Sequence, residues 1–274
     1  MAQKVSIVIE AGKTESQYWK DIFRFREVAY FMSWRDILVR YEQTVVGIAW
    51  ALIRPFLTML IFTVIFGRLA HLPSGNVPYP ILVFAGMLPW QFFANAISEC
   101  STSLISNSNL LTKIYFPRLI IPLSTIGVNL IDFLISFAIL AGLMVWYQFI
   151  PPWSALCIPL LILLTLTCAM SFGLWLGALT VKYRDFRYIV PFVVQLGMYI
   201  SPVGFSSAIV PSRWFYLYAL NPMVGIIDAY RWSLLGNVEF PLVSLSLSTT
   251  IVIITLVTGI RYFRRTERGF ADII

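Results

Sequence analysis

Three charged residues interrupt the long apolar runs of this 274-residue sequence: Arg54, Glu99 and Asp132. A charge inside an apolar membrane segment is costly, so such residues usually have a function. A guanidinium can bind a phosphate group through paired hydrogen bonds, which makes Arg54 a candidate anion site. Arg54 can equally extend to the membrane surface or pair with one of the two carboxylates, of which Asp132 lies deeper in its apolar run. A proton-coupled carrier would use a carboxylate of this kind.

Residues for other kinds of chemistry are scarce. His71 is the only histidine, so a catalytic triad and a histidine metal cluster are both excluded. The phosphate-binding pattern G-x-x-x-x-G-K-[S/T] does not occur, so this chain is not expected to hydrolyse ATP by that route. Cys100, Cys157 and Cys168 lack metal-ligand spacing and are interpreted as small packing residues. We therefore expect no catalytic residue and no metal site.

The composition shows which elements must position these charges. Hydrophobic residues make up 59% of the chain and charged residues only 12%, against about 25% charge in a soluble domain. Lipid is therefore the solvent for most of the chain, and its continuous apolar runs favour helices over a β-barrel. The sequence predicts an all-α integral membrane protein with six transmembrane helices. The predicted spans are Val45–Leu69, Pro80–Cys100, Leu119–Tyr147, Trp153–Val181, Val190–Phe205 and Leu242–Phe263.

The distribution of basic residues predicts the orientation of the spans. Sixteen of the 20 Lys and Arg residues lie before the first span, between spans two and three, between spans four and five, or after the sixth. Arg68, Arg213 and Arg231 lie on the other side. The positive-inside rule then places both chain ends in the cytoplasm, in a multi-pass protein of the inner (plasma) membrane. The net charge of +7 is assigned to topology and to anionic membrane lipids, and no nucleic acid is expected.

Two segments outside the six spans have patterns of their own. Residues 18–43 are amphipathic and basic, as in a helix that lies on the membrane or contacts a partner protein. Beyond Ser33 the apolar face rotates by about 100°, so we expect a break near Ser33. The aromatic stretch Trp214–Leu235 is divided by Asn221-Pro222, and each half is too short to span. Two external re-entrant or interfacial half-helices are predicted there, between spans five and six.

Aromatic residues supply a second set of candidate binding residues, because sugar rings stack on aromatic faces. Trp90 and Phe93 lie in the second span, and Trp214 and Tyr218 lie in the divided stretch. All four are candidate gate or channel residues. Each can also belong to the belt of aromatic residues at a membrane surface.

Several motifs, taken together, resemble the ABC-2 type permeases that export polysaccharides. YEQTVVGIAWALIRP occupies positions 41–55, and NSNLLTKIYFPR occupies positions 107–118. VKYRDFRY follows at 181–188 and NPM at 221–223. The resemblance extends over essentially the whole chain in the family's order, and it is closest to the permeases for O-antigen and teichoic acid.

The resemblance implies a homodimer of permeases that works with two separate ABC ATPase subunits. Those subunits would bind ATP and Mg²⁺, so this chain is expected to be a transport subunit without a cofactor and not an enzyme. The implied substrate is a polysaccharide linked to undecaprenyl pyrophosphate, moved from the cytoplasm across the inner membrane. Teichoic acid, capsule or a smaller lipid or drug are alternatives. A secondary transporter and a membrane transferase are disfavoured by the absence of an inverted repeat and of a catalytic constellation.

The resemblance also assigns roles to two cytoplasmic loops. Positions 107–118 match a coupling helix that binds the ATPase, and positions 182–188 match a second ATPase contact. A short apolar helix that ends before Pro117 also suits a compact partner-binding segment. The predicted coupling residues are Asn109, Leu110, Leu111, Lys113, Ile114, Tyr115, Phe116, Arg118, Lys182, Tyr183, Arg184 and Asp185.

The remaining predictions concern the substrate entrance and the domain boundaries. Arg54, with Tyr41 and Trp50, is predicted to form the entrance for the substrate. Positions 18–43 match the family's interface helix within a cytoplasmic segment 1–44. The ABC-2 type transmembrane domain is predicted at 45–263, followed by a cytoplasmic tail at 264–274.

Overall fold

The computed structural model describes residues 15–41, 45–73, 77–236 and 239–270, and every regular element in these residues is helical. The predicted all-α class is therefore confirmed. The α-helices are α1 (Glu15–Arg24), α2 (Arg26–Tyr41), α3 (Val45–Phe62), α4 (Tyr79–Ser106), α5 (Ser108–Lys113), α6 (Ile120–Trp146), α7 (Ile158–Lys182), α8 (Phe186–Ile200), α9 (Ser212–Ala219), α10 (Pro222–Leu235) and α11 (Leu242–Thr266). Short 3₁₀ or π turns flank some of them.

Five helical segments of the described residues are long and apolar enough to cross a membrane, so the protein is membrane-embedded. They are Leu52–Leu69, Tyr79–Ser106, Ile120–Trp146, Trp153–Lys182 and Leu242–Thr266. The predicted fifth span, Val190–Phe205, corresponds to α8, which is apolar but has only 15 residues. At 1.5 Å per residue α8 is about 22 Å long, less than the roughly 30 Å of a hydrocarbon core.

Helix α4 is the centre of the bundle. In the most apolar 18-residue stretch of α4, 78% of the residues are buried, against 17–33% in the corresponding stretches of the other four segments. Two glycines of α7 allow this helix to approach α4 closely. A Cβ atom at Gly173 would lie 2.7 Å from Cys100 Sγ, and one at Gly177 would lie 3.2 Å from the Cys100 carbonyl oxygen. The G-x-x-x-G pattern of α7 therefore packs against α4 within the chain, with Cys100 as a buried packing residue.

Pro55 does not interrupt the first span. Helix α3 continues through Pro55 to Phe62, and a π-helical turn extends it from Thr63 to Leu69. The rings of Phe62 and Phe66 lie against Gly204, where an added Cβ atom would approach both rings to 2.7 Å. The far end of α3 is thereby fixed against the loop that follows α8.

The amphipathic segment breaks at Phe25, and the predicted break near Ser33 is wrong. Helix α2 runs unbroken from Arg26 to Tyr41. The apolar face that rotates beyond Ser33 stays partly exposed, with Trp34 48% exposed, so no break is needed to bury it. Ser33 lies within the helix and contacts α6. Its hydroxyl donates to the Ser124 carbonyl oxygen of α6 at 3.1 Å. The apolar face of α1 and α2 packs on the bundle around buried Met32.

The divided stretch forms two helices, α9 and α10, with the break at Asn221-Pro222 as predicted. Asn221 Oδ1 accepts a hydrogen bond from the backbone N–H of Met223 at 3.0 Å, and Pro222 occupies the first turn, where no donor is needed. Gly236 ends α10 with a φ of +66°. Helix α10 is buried along almost its whole length and packs against α4, α7 and α11.

Candidate functional site

A polar cleft of about 710 Å³ opens between α3, α4, α6 and α8, close to the end of α2. Positions spaced three and four residues apart on α4 and α6 place polar side chains on the face of each helix that lines the cleft. The polar lining residues are Arg40, Tyr41, Arg54, Thr58, Gln91, Asn95, Ser98, Glu99, Asn129, Asp132, Ser136, Gln195 and Tyr199.

Arg40 of α2 joins the two carboxylates that interrupt the apolar runs. Its Nη1 donates to Asp132 Oδ2 at 2.5 Å, and its Nη2 donates to Glu99 Oε1 at 2.6 Å. The Tyr41 hydroxyl donates to Asp132 Oδ1, and Asn129 Nδ2 donates to Glu99 Oε2 at 2.8 Å. Three helices therefore meet in one hydrogen-bonded cluster at the α2 end of the cleft.

The electrostatics of this cluster keep its donors protonated. Burial lowers the pKa of Arg40, but Glu99 and Asp132 raise it, and the net pKa lies above the ordinary value. Burial raises the pKa of Tyr41, and its bond to Asp132 raises it further. One guanidinium faces two carboxylates, so this cluster carries a formal charge of −1. Arg54, in the same cleft, balances that charge.

Arg54 faces the cleft and does not pair with the carboxylates. Among the ion pairs of the described residues, Glu99 and Asp132 both bind Arg40, so the alternative in which Arg54 pairs with one of them is wrong. The side chain of Arg54 is exposed and lines the cleft together with Tyr41. Trp50, the third predicted entrance residue, lies in α3, and its side chain is outside the described part of the structure.

The predicted coupling residues divide into two groups. The exposed group is Asn109, Lys113, Ile114, Tyr115, Lys182, Tyr183, Arg184 and Asp185. The buried or half-buried group is Leu110, Leu111, Phe116 and Arg118. Because the second group packs on the protein's own core, its side chains hold the segment in place, and only the first group is available to a partner.

Arg118 holds the end of the coupling segment, which we define as positions 107–118, on the C-terminal residues. It donates to the backbone oxygen of Glu267 and lies 5.9 Å from the ring centroid of Phe270. The Tyr18 hydroxyl donates to Glu267 Oε2 at 2.9 Å. Burial, with the adjacent Glu267, raises the pKa of Tyr18. This part of the predicted tail is therefore packed against α1 and the coupling segment, while positions 271–274 lie outside the described residues.

The four predicted gate aromatics fall in two separate places. Trp90 and Phe93 are buried in the bundle core with ring centroids 5.7 Å apart. Trp90 also lines the cleft and lies against Gly197 of α8, where an added Cβ atom would approach its ring to 2.7 Å. Trp214 is exposed on α9, and Tyr218 of the same helix is half-buried. Of the four, Trp90 alone is among the residues that line the cleft.

Several cleft residues have no site role in the predictions from sequence. Arg40 counts there only toward topology, and Gln91, Asn95, Asn129 and Gln195 have no role at all. The available signal was polar residues at helical spacing within apolar spans, such as Gln91, Asn95 and Ser98. Within the described residues, no group of three or more His, Cys, Asp or Glu side chains could hold a metal ion.

The fold and the cleft together define a helical membrane protein of the transporter class. Residues 27–235 match the family described as ABC-2 type transporter, and this chain belongs to that family. The resemblance drawn from the motifs is therefore confirmed at the level of the family.

Curated relatives cover most of this chain. It is 27% identical over 215 residues to the O-antigen export system permease protein RfbA of Myxococcus xanthus, which covers 77% of this chain and 82% of the relative. It is 26% identical over 242 residues to an RfbA protein of Klebsiella pneumoniae, covering 88% of this chain and 92% of the relative. It is 24% identical over 242 residues to the polysialic acid transport protein KpsM of Escherichia coli, covering 86% of this chain and 92% of the relative.

Proposed function

We propose that this chain is the permease subunit of an ABC exporter for a polysaccharide linked to undecaprenyl pyrophosphate. The observation that carries the proposal is the cleft, in which exposed Arg54 faces hydroxyl and amide side chains on α4 and α6. The export permeases named for O-antigen among the relatives support an O-antigen-like polymer. The substrate would move from the cytoplasm across the inner membrane.

The chemistry of the cleft suits each part of such a substrate. A guanidinium such as that of Arg54 binds a phosphate group through charge-assisted hydrogen bonds. Amides such as Gln91 and Asn95 can donate to and accept from sugar hydroxyls. The lipid chain would remain against apolar surface, which α3 offers through exposed Leu57 and Ile61.

We further propose six crossings, with α8 as a short fifth span and α9 and α10 as external re-entrant helices. After α8 the buried residues 201–204 reach Phe62 and Phe66 at the far end of the first span, which supports a crossing by α8 and this loop together. The concentration of basic residues at the other end supports cytoplasmic chain termini in the inner membrane. The exposed faces of α3 and α8 supply apolar surface for a second permease, and contact with membrane lipids covers the remainder.

ATP hydrolysis is proposed to occur on a separate ABC ATPase subunit. Ile114 and Tyr115 are half-exposed apolar side chains at the end of the coupling segment, where water alone would be a poor partner. Tyr183 and Arg184 supply a second exposed surface on the same predicted side of the membrane. Two permeases and two ATPase subunits would form the complete transporter.

Capsule polysaccharide is the second candidate substrate. A KpsM relative, which is named for polysialic acid transport, covers 86% of this chain, against 88% for an RfbA relative. The cleft has the same use for either polymer, because both would present hydroxyl groups and an anionic end to it.

The test compares two arginines of the first span in cells that carry the native operon and lack any other copy of this gene. Arg54→Gln removes the positive charge from the cleft, whereas Arg68→Gln removes one from the far end of the same span, outside the cleft lining. We expect surface polysaccharide to fall strongly for Arg54→Gln and to stay at the wild-type level for Arg68→Gln. Co-purification with an ATPase subunit should persist in both variants.

Two results would contradict the proposal. Wild-type cells whose surface polysaccharide does not depend on this gene would refute the substrate. A purified permease that carries no ATPase subunit, from an operon without one, would refute the exporter itself.

A further inference from the structure

We propose that Arg40 is a positioning residue. It holds the C-terminal end of α2 across the cytoplasmic end of the cleft and so controls access from the cytoplasm. The inference rests on the proposed function for its orientation and for the meaning of export. It concerns a residue of the amphipathic segment that does not itself need to bind substrate.

The first observation is that Arg40 joins two different helices of the cleft wall. Its two terminal nitrogens bind separate carboxylates, Glu99 on α4 and Asp132 on α6, at 2.6 and 2.5 Å. Tyr41 adds a bond to Asp132, and Asn129 adds one to Glu99. A guanidinium that spans two helices in this way determines their separation as well as the position of its own helix.

The second observation is the partial burial of the cluster. The side chains of Arg40, Glu99 and Asp132 are 30%, 38% and 25% exposed. An isolated exposed pair would contribute little, but a network of several charges and neutral donors is screened less and is geometrically defined. Helix α2 also packs along α6, so the cluster lies at the end of a continuous contact.

The third observation is a second arginine on the same helix. Arg35 Nη2 donates to Asn107 Oδ1 at 3.0 Å, and Asn107 directly precedes α5. Arg35 thus bonds to Asn107, and Arg40 bonds to Glu99. The later residue of α2 meets the earlier residue of the α4 region, so α2 runs antiparallel to the end of α4. Helix α2 therefore connects the coupling segment with the cleft through two arginine side chains.

The consequence follows from the charges that would remain without Arg40. Glu99 and Asp132 would face each other across the cleft wall with no guanidinium between them, and like charges at such a separation repel. The repulsion and the loss of two hydrogen bonds both act to separate α2, α4 and α6. Loss of Arg40 is thus expected to widen the cytoplasmic end of the cleft while the rest of the bundle stays packed.

The experiment measures access to the cleft directly. Ala94 lines the cleft deeper than Glu99 on α4, so Ala94→Cys is introduced with Cys157→Ser; the two other cysteines are fully buried. Inverted membrane vesicles from cells with the complete operon are treated with a charged, membrane-impermeant maleimide. Labelling is compared for otherwise native protein, Arg40→Gln, Arg40→Lys, and Arg24→Gln, which removes an exposed arginine from α1.

We expect Arg40→Gln to be labelled several-fold faster than the native arginine, with reduced export but normal amounts in the membrane. Arg40→Lys keeps one ion pair and should restore most of the slow labelling, while Arg24→Gln should label at the native rate. Equal labelling of Arg40→Gln and native protein would overturn the proposal. If Arg40→Gln does not accumulate, Arg40→Lys decides the question. Labelling of Arg40→Lys that is faster than that of native protein supports the proposal, whereas labelling at the native rate, or poor accumulation of this variant too, overturns it. Because labelling does not depend on what is exported, an error in the proposed substrate would leave this result unchanged.

Discussion

Tyr115 and Phe116 are consecutive residues that face opposite ways, with Tyr115 52% exposed and Phe116 5% exposed. The backbone is extended at Ile114, after the end of α5, and alternate side chains of an extended chain point to opposite sides. Phe116 joins Leu111 and Phe270 in a buried apolar cluster. Only Tyr115 is therefore available to a partner protein, although the sequence assigns both residues to the same contact.

Tyr115→Asp and Phe116→Asp should consequently fail in different ways. Tyr115→Asp adds a charge at an exposed site, where a substitution changes stability by about 0.5 kcal/mol or less, so the permease should insert normally and lose export. Phe116→Asp places a carboxylate in the buried cluster. Loss of the aromatic packing alone lowers the free energy of unfolding by about 3–5 kcal/mol, so this variant should be unstable. Thermal unfolding in detergent and surface polysaccharide separate the two effects. Normal export by Tyr115→Asp would remove the coupling role from this segment.

The sequence predicts elements where a single local rule decides the outcome. Continuous apolar runs locate five of the helices, because no other structure satisfies their backbone in lipid. Asn221-Pro222 locates the start of α10, because Asn caps the helix and Pro suits its first turn. Neither result needs information about what the helix packs against.

The sequence fails where a distant contact decides the outcome. The apolar face rotates beyond Ser33, but α2 leaves part of that face exposed, with Trp34 48% exposed, and packs on α6 through contacts such as the hydrogen bond from Ser33 to Ser124, so the predicted break does not occur. The sequence separates Arg54, inside an apolar run, from Arg40, in the amphipathic segment, but it does not show that Arg40 meets the two carboxylates. Only the packing of α2 on α6 brings Arg40 to both carboxylates and leaves Arg54 facing the cleft.

A second prediction concerns Arg231, a fully buried arginine of α10. Its guanidinium donates to the carbonyl oxygens of Phe205 and Val203 at 2.6 and 2.8 Å, which fixes the loop after α8. Arg231→Met should lower the free energy of unfolding by about 3 kcal/mol, because hydrogen bonds from charged groups contribute about 1.5–3 kcal/mol each. Arg213 on α9 is exposed and provides the control. The free energy of unfolding of Arg213→Met should stay near the wild-type value. Thermal unfolding that is equal for the two variants would contradict a structural role for Arg231.

A third prediction compares two glycines. An added Cβ atom at Gly225 of α10 would lie 2.2 Å from the Ser244 backbone oxygen, whereas one at Gly142 of α6 would meet nothing within 4 Å. Gly225→Ala should push α10 away from α11 and lower the free energy of unfolding by about 1–3 kcal/mol or more, as overpacking does. Gly142→Ala should be neutral or stabilise the helix by up to about 1 kcal/mol. Melting temperatures of both variants in the same detergent check the opposite signs, and a stable Gly225→Ala would show that the helices can shift apart.

The last prediction concerns the polar stripe on α4. Asn95 lines the cleft between Gln91 and Glu99, and among the described residues no hydrogen bond joins its side chain to another residue. Asn95→Leu should therefore leave stability unchanged or raise it, because leucine suits an apolar helix better. Export should fall several-fold, since each hydrogen bond lost to a sugar hydroxyl removes about 0.5–1.5 kcal/mol. Thr250→Leu, on the exposed face of α11, is the matched polar-to-leucine control and should export normally. Export by Asn95→Leu at the wild-type rate, with both variants equally abundant, would mean that the stripe is not part of the substrate's path and that Arg54 acts without it.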